Sequence, residues 1–163
     1  MKIIDFTKDY EEELIYQLAQ NRIALAELKN RKKMLDLQSA KEELDYYLDR
    51  KFPIYIAINE KQEIFGFTVC RVDDDVVWDE LLYVVPEERQ KGIASAMFAR
   101  AEKLAIDLGG NTLYNWVHPN NHRSIPFLKK QGYDVLNLIE VRKKLPDEKL
   151  SRKFKIGDHE YKY

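Results

Sequence analysis

Residues 78–108 run W-D-E-L-L-Y-V-V-P-E-E-R-Q-K-G-I-A-S-A-M-F-A-R-A-E-K-L-A-I-D-L, and the fold follows from how this stretch is read. Leu81 to Val85 is an apolar run of strand length that stops at Pro86, where a buried strand must end because proline offers the ladder no N–H. After Gly92, Ile93, Met97, Leu104 and Leu108 recur at spacings that keep them on one helical face, and Gly109-Gly110 supplies the stop. Between strand and helix lies Arg89-Gln90-Lys91-Gly92-Ile93-Ala94, an R-x-x-G-x-A segment. A helix start has backbone N–H groups without intrahelical partners and a positive dipole end. Gly92 has no Cβ and Ala94 only a methyl, so an anionic group can come close to that backbone. Arg89 and Lys91 add charge beside it. These residues predict a diphosphate site; the alternative is an ordinary helix start with two solvated cations.

The surrounding chain sets the frame. Lys2 to Phe6 reads as a first strand and Asp9 onward as a helix, with Leu14, Leu18, Leu25 and Leu28 as its stripe and Ile15, Ala19, Arg22 and Ala26 beside it. Glu11 to Glu13 open that helix, and Lys29 to Lys33 are expected to close it in keeping with the macrodipole. Ser39-Ala40-Lys41-Glu42 reads as a capping box that opens a second helix. Three strands follow, Ile54 to Ile58, Ile64 to Val72 and Val76 to Val85, with links short enough for an antiparallel meander. Asp73 to Asp75 is turn chemistry. The strand after the long helix, Thr112 to Val117, should pair in parallel through a right-handed crossover. Arg123 or Ser124 opens a short helix with Pro126 in its first turn, because proline is not tolerated further inside. Gly132 stops that helix. Val135 to Val141 reads as a final core strand, and Lys155 to Tyr161 as a small hairpin turning at Gly157-Asp158.

The segment V-x-P-E-x-R-x-K-G-I-A after a strand resembles the acetyl-CoA-binding motif of the GCN5-related N-acetyltransferases (GNAT), R/Q-x-x-G-x-G/A, with Arg89, Gly92 and Ala94 in its fixed positions. It is neither the dinucleotide fingerprint nor a P-loop. The element order matches that family over Ile54 to Leu145. The resemblance implies an α/β fold: an antiparallel meander, then a parallel, splayed strand pair, with helices on both faces. Its acetyltransferase domain would span 1–145, including an acceptor-side helical pair at 9–49, and 146–163 would be a linker and hairpin. The implied reaction moves acetyl from acetyl-CoA, a co-substrate, to an amine by direct attack in a ternary complex. The implied cofactor contacts are Leu82, Tyr83 and Val84 for pantetheine and Arg89, Gln90, Lys91, Gly92, Ile93, Ala94 and Ser95 for the diphosphate. Asn121 and Ser124 match a second signature, N-x-x-A-x-x-x-Y-x-x-x-G-F, completed by Gly132-Tyr133. Read alone, Asn121 is equally a helix cap.

The same resemblance places a carboxylate base at Glu80, with Asp79 in reserve, and an oxyanion donor at the backbone N–H of Tyr83 or Val84. Both carboxylates are also readable as surface groups at the sheet edge. The tyrosine with which the family protonates its leaving thiolate falls on Leu128, which has no proton to give. A non-catalytic acetyl-CoA-binding regulatory or interaction domain is therefore the alternative.

Bulk properties narrow the classes. A chain of 163 residues with net charge −1 has no global field for nucleic acid or anionic membrane. No stretch approaches the ~18 apolar residues of a membrane span, and the N-terminus lacks a signal-peptide core. Cys70 is the single cysteine and lies in an apolar run, which suits a packing role and a reducing cytoplasm. His118, His122 and His159 are too scattered for a metal centre, and no metal is expected. The expected partners are acetyl-CoA and an amine of unspecified kind (small molecule, lysine or protein N-terminus), with a homodimer open to the chain.

Overall fold

The computed structural model describes all residues, Met1–Tyr163, which divide into two compact units, Met1–Gly132 and Tyr133–Tyr163. In the first unit, β1 (Lys2–Asp5) leads through a 3-10 turn (Lys8–Tyr10) into α1 (Glu11–Glu27) and α2 (Leu37–Asp49). The meander is β2 (Ile54–Ile58), β3 (Ile64–Asp73) and β4 (Val76–Val84). After a 3-10 turn at Pro86–Glu88 come α3 (Ile93–Asp107), β5 (Leu113–Asn115) and α4 (Ser124–Lys130). The sheet has the order β1-β2-β3-β4-β5. All neighbours are antiparallel except β4 and β5, which run parallel in the register Val77↔Leu113, Trp78↔Tyr114, Asp79↔Asn115. A sheet of this mixed kind with helices packed on it is the fold class expected from the sequence.

The two faces of the sheet are covered differently. Leu14, Leu18 and Ala19 of α1 and Ala40, Leu44 and Tyr47 of α2 pack on Ile54, Ile56, Phe67, Val69 and Tyr83. On the other face, Ile93 and Met97 of α3 pack on Ala57 and Val84. Gly66 permits this approach. A Cβ there would stand 2.9 Å from Met97 Cε and 3.0 Å from the Tyr83 carbonyl oxygen.

Several expectations are corrected. The α2 helix is capped by Asp36 rather than by a box at Ser39: the Asp36 carboxylate accepts both the Ser39 N–H (2.9 Å) and its hydroxyl (2.6 Å). Lys29 to Lys33 fall beyond the end of α1 and do not close it. Leu25 is exposed, because α1 buries Leu14, Gln17, Leu18, Ala19 and Asn21, and Leu108 is exposed, because it lies past the end of α3, which buries Ile93, Met97, Phe98, Ala101 and Ala105. The β5 strand keeps only three of the six residues expected.

The largest difference lies in the second unit. Val135 to Val141 is not a core strand: no regular structure forms there, and Val135, Leu136, Leu138 and Val141 are all exposed. The expected hairpin does form, as β6 (Lys153–Ile156) and β7 (His159–Lys162), with Gly157 at φ 58° in its turn.

Because the Tyr83 carbonyl near Gly66 is main chain and cannot yield, Gly66→Ala should lower unfolding stability by about 1–3 kcal/mol. A reduced urea midpoint at unchanged slope is the expected result, and an unchanged midpoint would show that α3 does not sit this close.

Candidate functional site

The site is built where β4 parts from β5. Pairing with β5 ends at Asp79↔Asn115, while β4 continues to Val84. Just beyond, the ladder with β3 slips: Leu81 faces Val69 and Asp79 faces Cys70, so Glu80 is an inserted residue. The bulge therefore sits at Glu80, two residues before Leu82, the first of the expected pantetheine contacts.

The slip settles which backbone groups are open. Val85 N–H donates to the Phe65 carbonyl at 3.0 Å, so Phe65 and Val85 form a hydrogen-bonded antiparallel pair. Such pairs alternate with pairs whose N–H and C=O groups point away from the partner. Tyr83, paired with Phe67, thus turns its N–H toward β3, whereas Leu82 and Val84 turn theirs toward the gap beyond β5. Tyr83 is accordingly corrected as an oxyanion donor: its N–H is committed to the ladder. The Val84 carbonyl facing the gap accepts Arg89 Nε at 2.9 Å.

After Pro86 the loop has two left-handed residues, Gln90 (φ 62°) and Gly92 (φ 82°), one on each side of Lys91. Ala96 N–H makes the first bond of α3, to the Gly92 carbonyl. The N–H groups of Ile93, Ala94 and Ser95 precede it and have no intrahelical acceptor. The space where a Gly92 Cβ would lie is open, with no atom within 4 Å. Lys91 pairs with Glu88 at 2.9 Å on the surface. The loop is thus a concave run of N–H groups at the positive end of a 15-residue helix, with guanidinium and ammonium alongside. These residues fit a diphosphate.

The two carboxylates on β4 face opposite ways. Asp79 lies on the α3 face, 8% exposed, and accepts the Thr68 hydroxyl at 2.7 Å. Burial pushes its carboxyl up to about 7, against the lowering effect of the Thr68 bond. Glu80 lies with Arg71, Glu43 and Tyr47 on the face covered by α2. Its carboxyl is raised chiefly by burial, lowered by Arg71 and raised again by Glu43, and its Oε2 is buried without a partner. Tyr47 donates to Glu43 Oε1 at 2.8 Å, and Glu43 also pairs with Arg22. Arg71 is held between two indoles, 4.1 Å from the Trp78 ring centre and 4.4 Å from that of Trp116. Sequence reasoning missed Glu43, Tyr47 and Arg71. The available signal was Glu43 and Tyr47 at i, i+4 on the side of α2 that carries Leu44.

The remaining residues divide. Asn121 is a helix cap: its Oδ1 accepts the Ser124 N–H at 2.9 Å at the start of α4. Ser95 accepts Gln131 Nε2 at 3.2 Å. Leu128 is buried, 8% exposed, and Pro126 lies in the first turn of α4 as expected. Cys70 is buried and free, its thiol pushed up to about 12 by burial.

A sequence profile of the acetyltransferase (GNAT) family matches residues 19–133. The chain belongs to this family. Solved structures share its fold: a GNAT-family acetyltransferase from Staphylococcus aureus Mu50 is 22% identical with a TM-score of 0.64, over 80% of this chain and 82% of that one. The aminoglycoside 6'-N-acetyltransferase AAC(6')-Ig from Acinetobacter haemolyticus is 15% identical with a TM-score of 0.69, over 90% of this chain and all of that one. AAC(6')-Iy, in complex with the bisubstrate analogue CoA-S-monomethyl-acetylneamine, is 17% identical with a TM-score of 0.68, over 88% and 98%. No curated protein matches the chain. No helix is long and apolar enough to cross a membrane.

The buried Asp79 gives a test of this geometry. Its folded-state carboxyl titrates near 7 against an ordinary 3.8, so between those values the folded chain holds a proton that the unfolded chain has released. Stability contributed at this site therefore falls as pH rises through that window. Asp79→Asn keeps an acceptor for Thr68 and removes the titration. Its melting temperature relative to wild type should climb from about pH 4 to about pH 7 and level off above; a gap independent of pH would refute the buried, protonated carboxyl.

Proposed function

We propose that this protein is an N-acetyltransferase that moves acetyl from acetyl-CoA to an amine by direct attack in a ternary complex. The observation that carries the proposal is the open loop of Gln90 to Ser95, whose left-handed Gln90 and Gly92 turn successive N–H groups to one concavity at the start of α3. Family membership supplies the reaction class. In this reading Arg89 to Ser95 hold the diphosphate, and the outward main-chain groups of Leu82 and Val84 not otherwise engaged pair with the pantetheine amides. Asn121 and Ser124 line the cofactor edge. Acetyl-CoA supplies the activated acetyl group, whose transfer forms an amide and frees the thiol.

The chain's own residues do the rest. An N–H of Leu82 or Val84 is the donor for charge developing on the carbonyl oxygen, a role that pre-oriented main-chain donors fill without reorganisation. Glu80 takes the proton from the incoming ammonium. A raised carboxyl suits that task, because its affinity for a proton is brought closer to that of the amine. Glu43 beside it favours an acceptor that arrives as a cation, and the stacked Trp78-Arg71-Trp116 group walls that end. The aminoglycoside enzymes among the structural neighbours are in keeping with a cationic acceptor. We assign the acetyltransferase domain to residues 1–145 and the protein to the cytoplasm, in keeping with its single buried thiol. Leu128 favours one second reading, an acetyl-CoA-binding regulatory domain without turnover.

Two measurements test this. Calorimetric titration of acetyl-CoA should give micromolar binding to wild type. In Gly92→Glu, where a side chain at φ 82° is strained and a carboxylate meets the diphosphate, the affinity should fall at least ~100-fold. Absence of binding to folded wild type would end the proposal. Thiol release with a panel of cationic amines should be slowed roughly 10²–10³-fold by Glu80→Gln, with loss of the acidic limb of the pH–rate profile. Tight binding with no thiol release from wild type on any amine would select the regulatory reading.

A further inference from the structure

Four arginines of the first unit are half-buried: Arg22, Arg71, Arg89 and Arg100. Burial obliges a guanidinium to find acceptors for its N–H donors. Three of them do. Arg22 pairs with Glu43, Arg89 donates to the Val84 carbonyl, and Arg100 faces Asp5. Arg71 makes no ion pair and no hydrogen bond, and its Nε is buried without a partner. What holds it is aromatic. Its guanidinium carbon lies against the rings of Trp78 and Trp116, whose centres are 6.4 Å apart. Contact with a ring face balances charge but takes up no in-plane N–H.

The β3-β4 ladder sets where this fork stands. Arg71 is paired with Trp78, and Glu80 lies two residues beyond Trp78, on the side of the sheet that carries Arg71. Glu80 Oε2 is likewise buried without a partner. The two charges do not close into an ion pair, and Asp73, two residues beyond Arg71, does not reach it either. Glu43 has no oxygen to spare: Tyr47 donates to one and Arg22 pairs with the other. This face of the sheet therefore keeps one carboxylate and one guanidinium, neighbouring, opposite in charge, and both unsatisfied. Groups buried in this way cost the fold stability unless something else completes them.

Resting on the acetyltransferase reading, we propose that the amine acetylated here carries its own carboxylate, as a free amino acid does, with its ammonium at Glu80 and its carboxylate on the N–H fork of Arg71. One small zwitterion completes both groups, whereas a simple cation completes only Glu80. A second ammonium at that end meets the guanidinium, so the cation taken at Glu80 is one with an anion beside it. A peptide N-terminus carries an amide where the amino acid has its carboxylate, and it forfeits the charged, two-pronged contact. In the transfer, the ammonium gives one proton to Glu80 and its nitrogen bonds the acetyl carbon. The C–S bond breaks, and the second amine proton leaves with the thiol.

Thiol release from acetyl-CoA should be measured with each common amino acid beside its carboxamide and its decarboxylated amine. At least one amino acid should exceed both counterparts roughly 10²-fold in kcat/KM, with the difference residing in KM. Arg71→Met should bring that ratio to about 1 while far-UV dichroism and the calorimetric affinity for acetyl-CoA stay unchanged. Arg71→Lys, which keeps the charge without the fork, should restore part of it. Equal rates for acid and carboxamide in the wild type would overturn the inference and leave the acetyltransferase reading standing. A ratio that survives Arg71→Met would overturn it equally. No thiol release with any amine or amino acid would overturn both.

Discussion

One inserted residue governs the molecule. With Glu80 unmatched in the β3-β4 ladder, the alternation along β4 breaks between Glu80 and Leu81, which share the face covered by α1 and α2, while Asp79 takes the other. Asp79 turns into the α3 face beside Thr68, where it is buried and held neutral until near pH 7. Glu80 turns to the α2 face, among Arg71, Glu43 and Tyr47. Beyond the bulge β4 leaves β5, and the outward main-chain groups of Leu82 and Val84 are left without a strand to pair with. A bulge thus accompanies both features: open backbone along the end of β4, and a carboxylate on the face covered by α2.

The loop that follows works by a different constraint. Two left-handed residues within three positions turn the chain sharply before α3, so the first free N–H groups of the helix converge instead of splaying. Glycine adopts this geometry at no cost, while Gln90 adopts it against a modest steric penalty. Arg89 is tied back to the Val84 carbonyl, which couples the end of β4 to the loop. The start of α3 and the open edge of β4 are therefore parts of one continuous main-chain surface.

How much of this was legible depended on whether the information was local. The Pro86 stop, the Gly92 helix start, the Pro126 position and the Gly157-Asp158 turn each rest on one residue's backbone limits, and each was placed correctly from sequence. The cap of α2 was not, because Ser39 and Asp36 both have capping chemistry and only the actual path of the chain chooses Asp36. The open helix start after Gly92 was legible for the same local reason. The surroundings of Glu80 were not: Glu43, Tyr47 and Arg71 come from elements distant in sequence, and nothing in their own neighbourhoods links them to Glu80.

The sequence by itself determined most element types, the meander with its parallel addition, and the glycine-marked start of α3, because periodicity, proline, glycine and helix polarity act over a few residues. Only the tertiary structure decided which face each β4 carboxylate takes, that Tyr83 gives its N–H to the ladder while Leu82 and Val84 do not, and that Asn121 spends its side-chain oxygen on capping α4. It also decided that 135–141, an apolar run read as a strand, forms no strand. Pairing register and partner are long-range properties: an apolar alternation states that a strand is wanted, and the available edges determine where it goes.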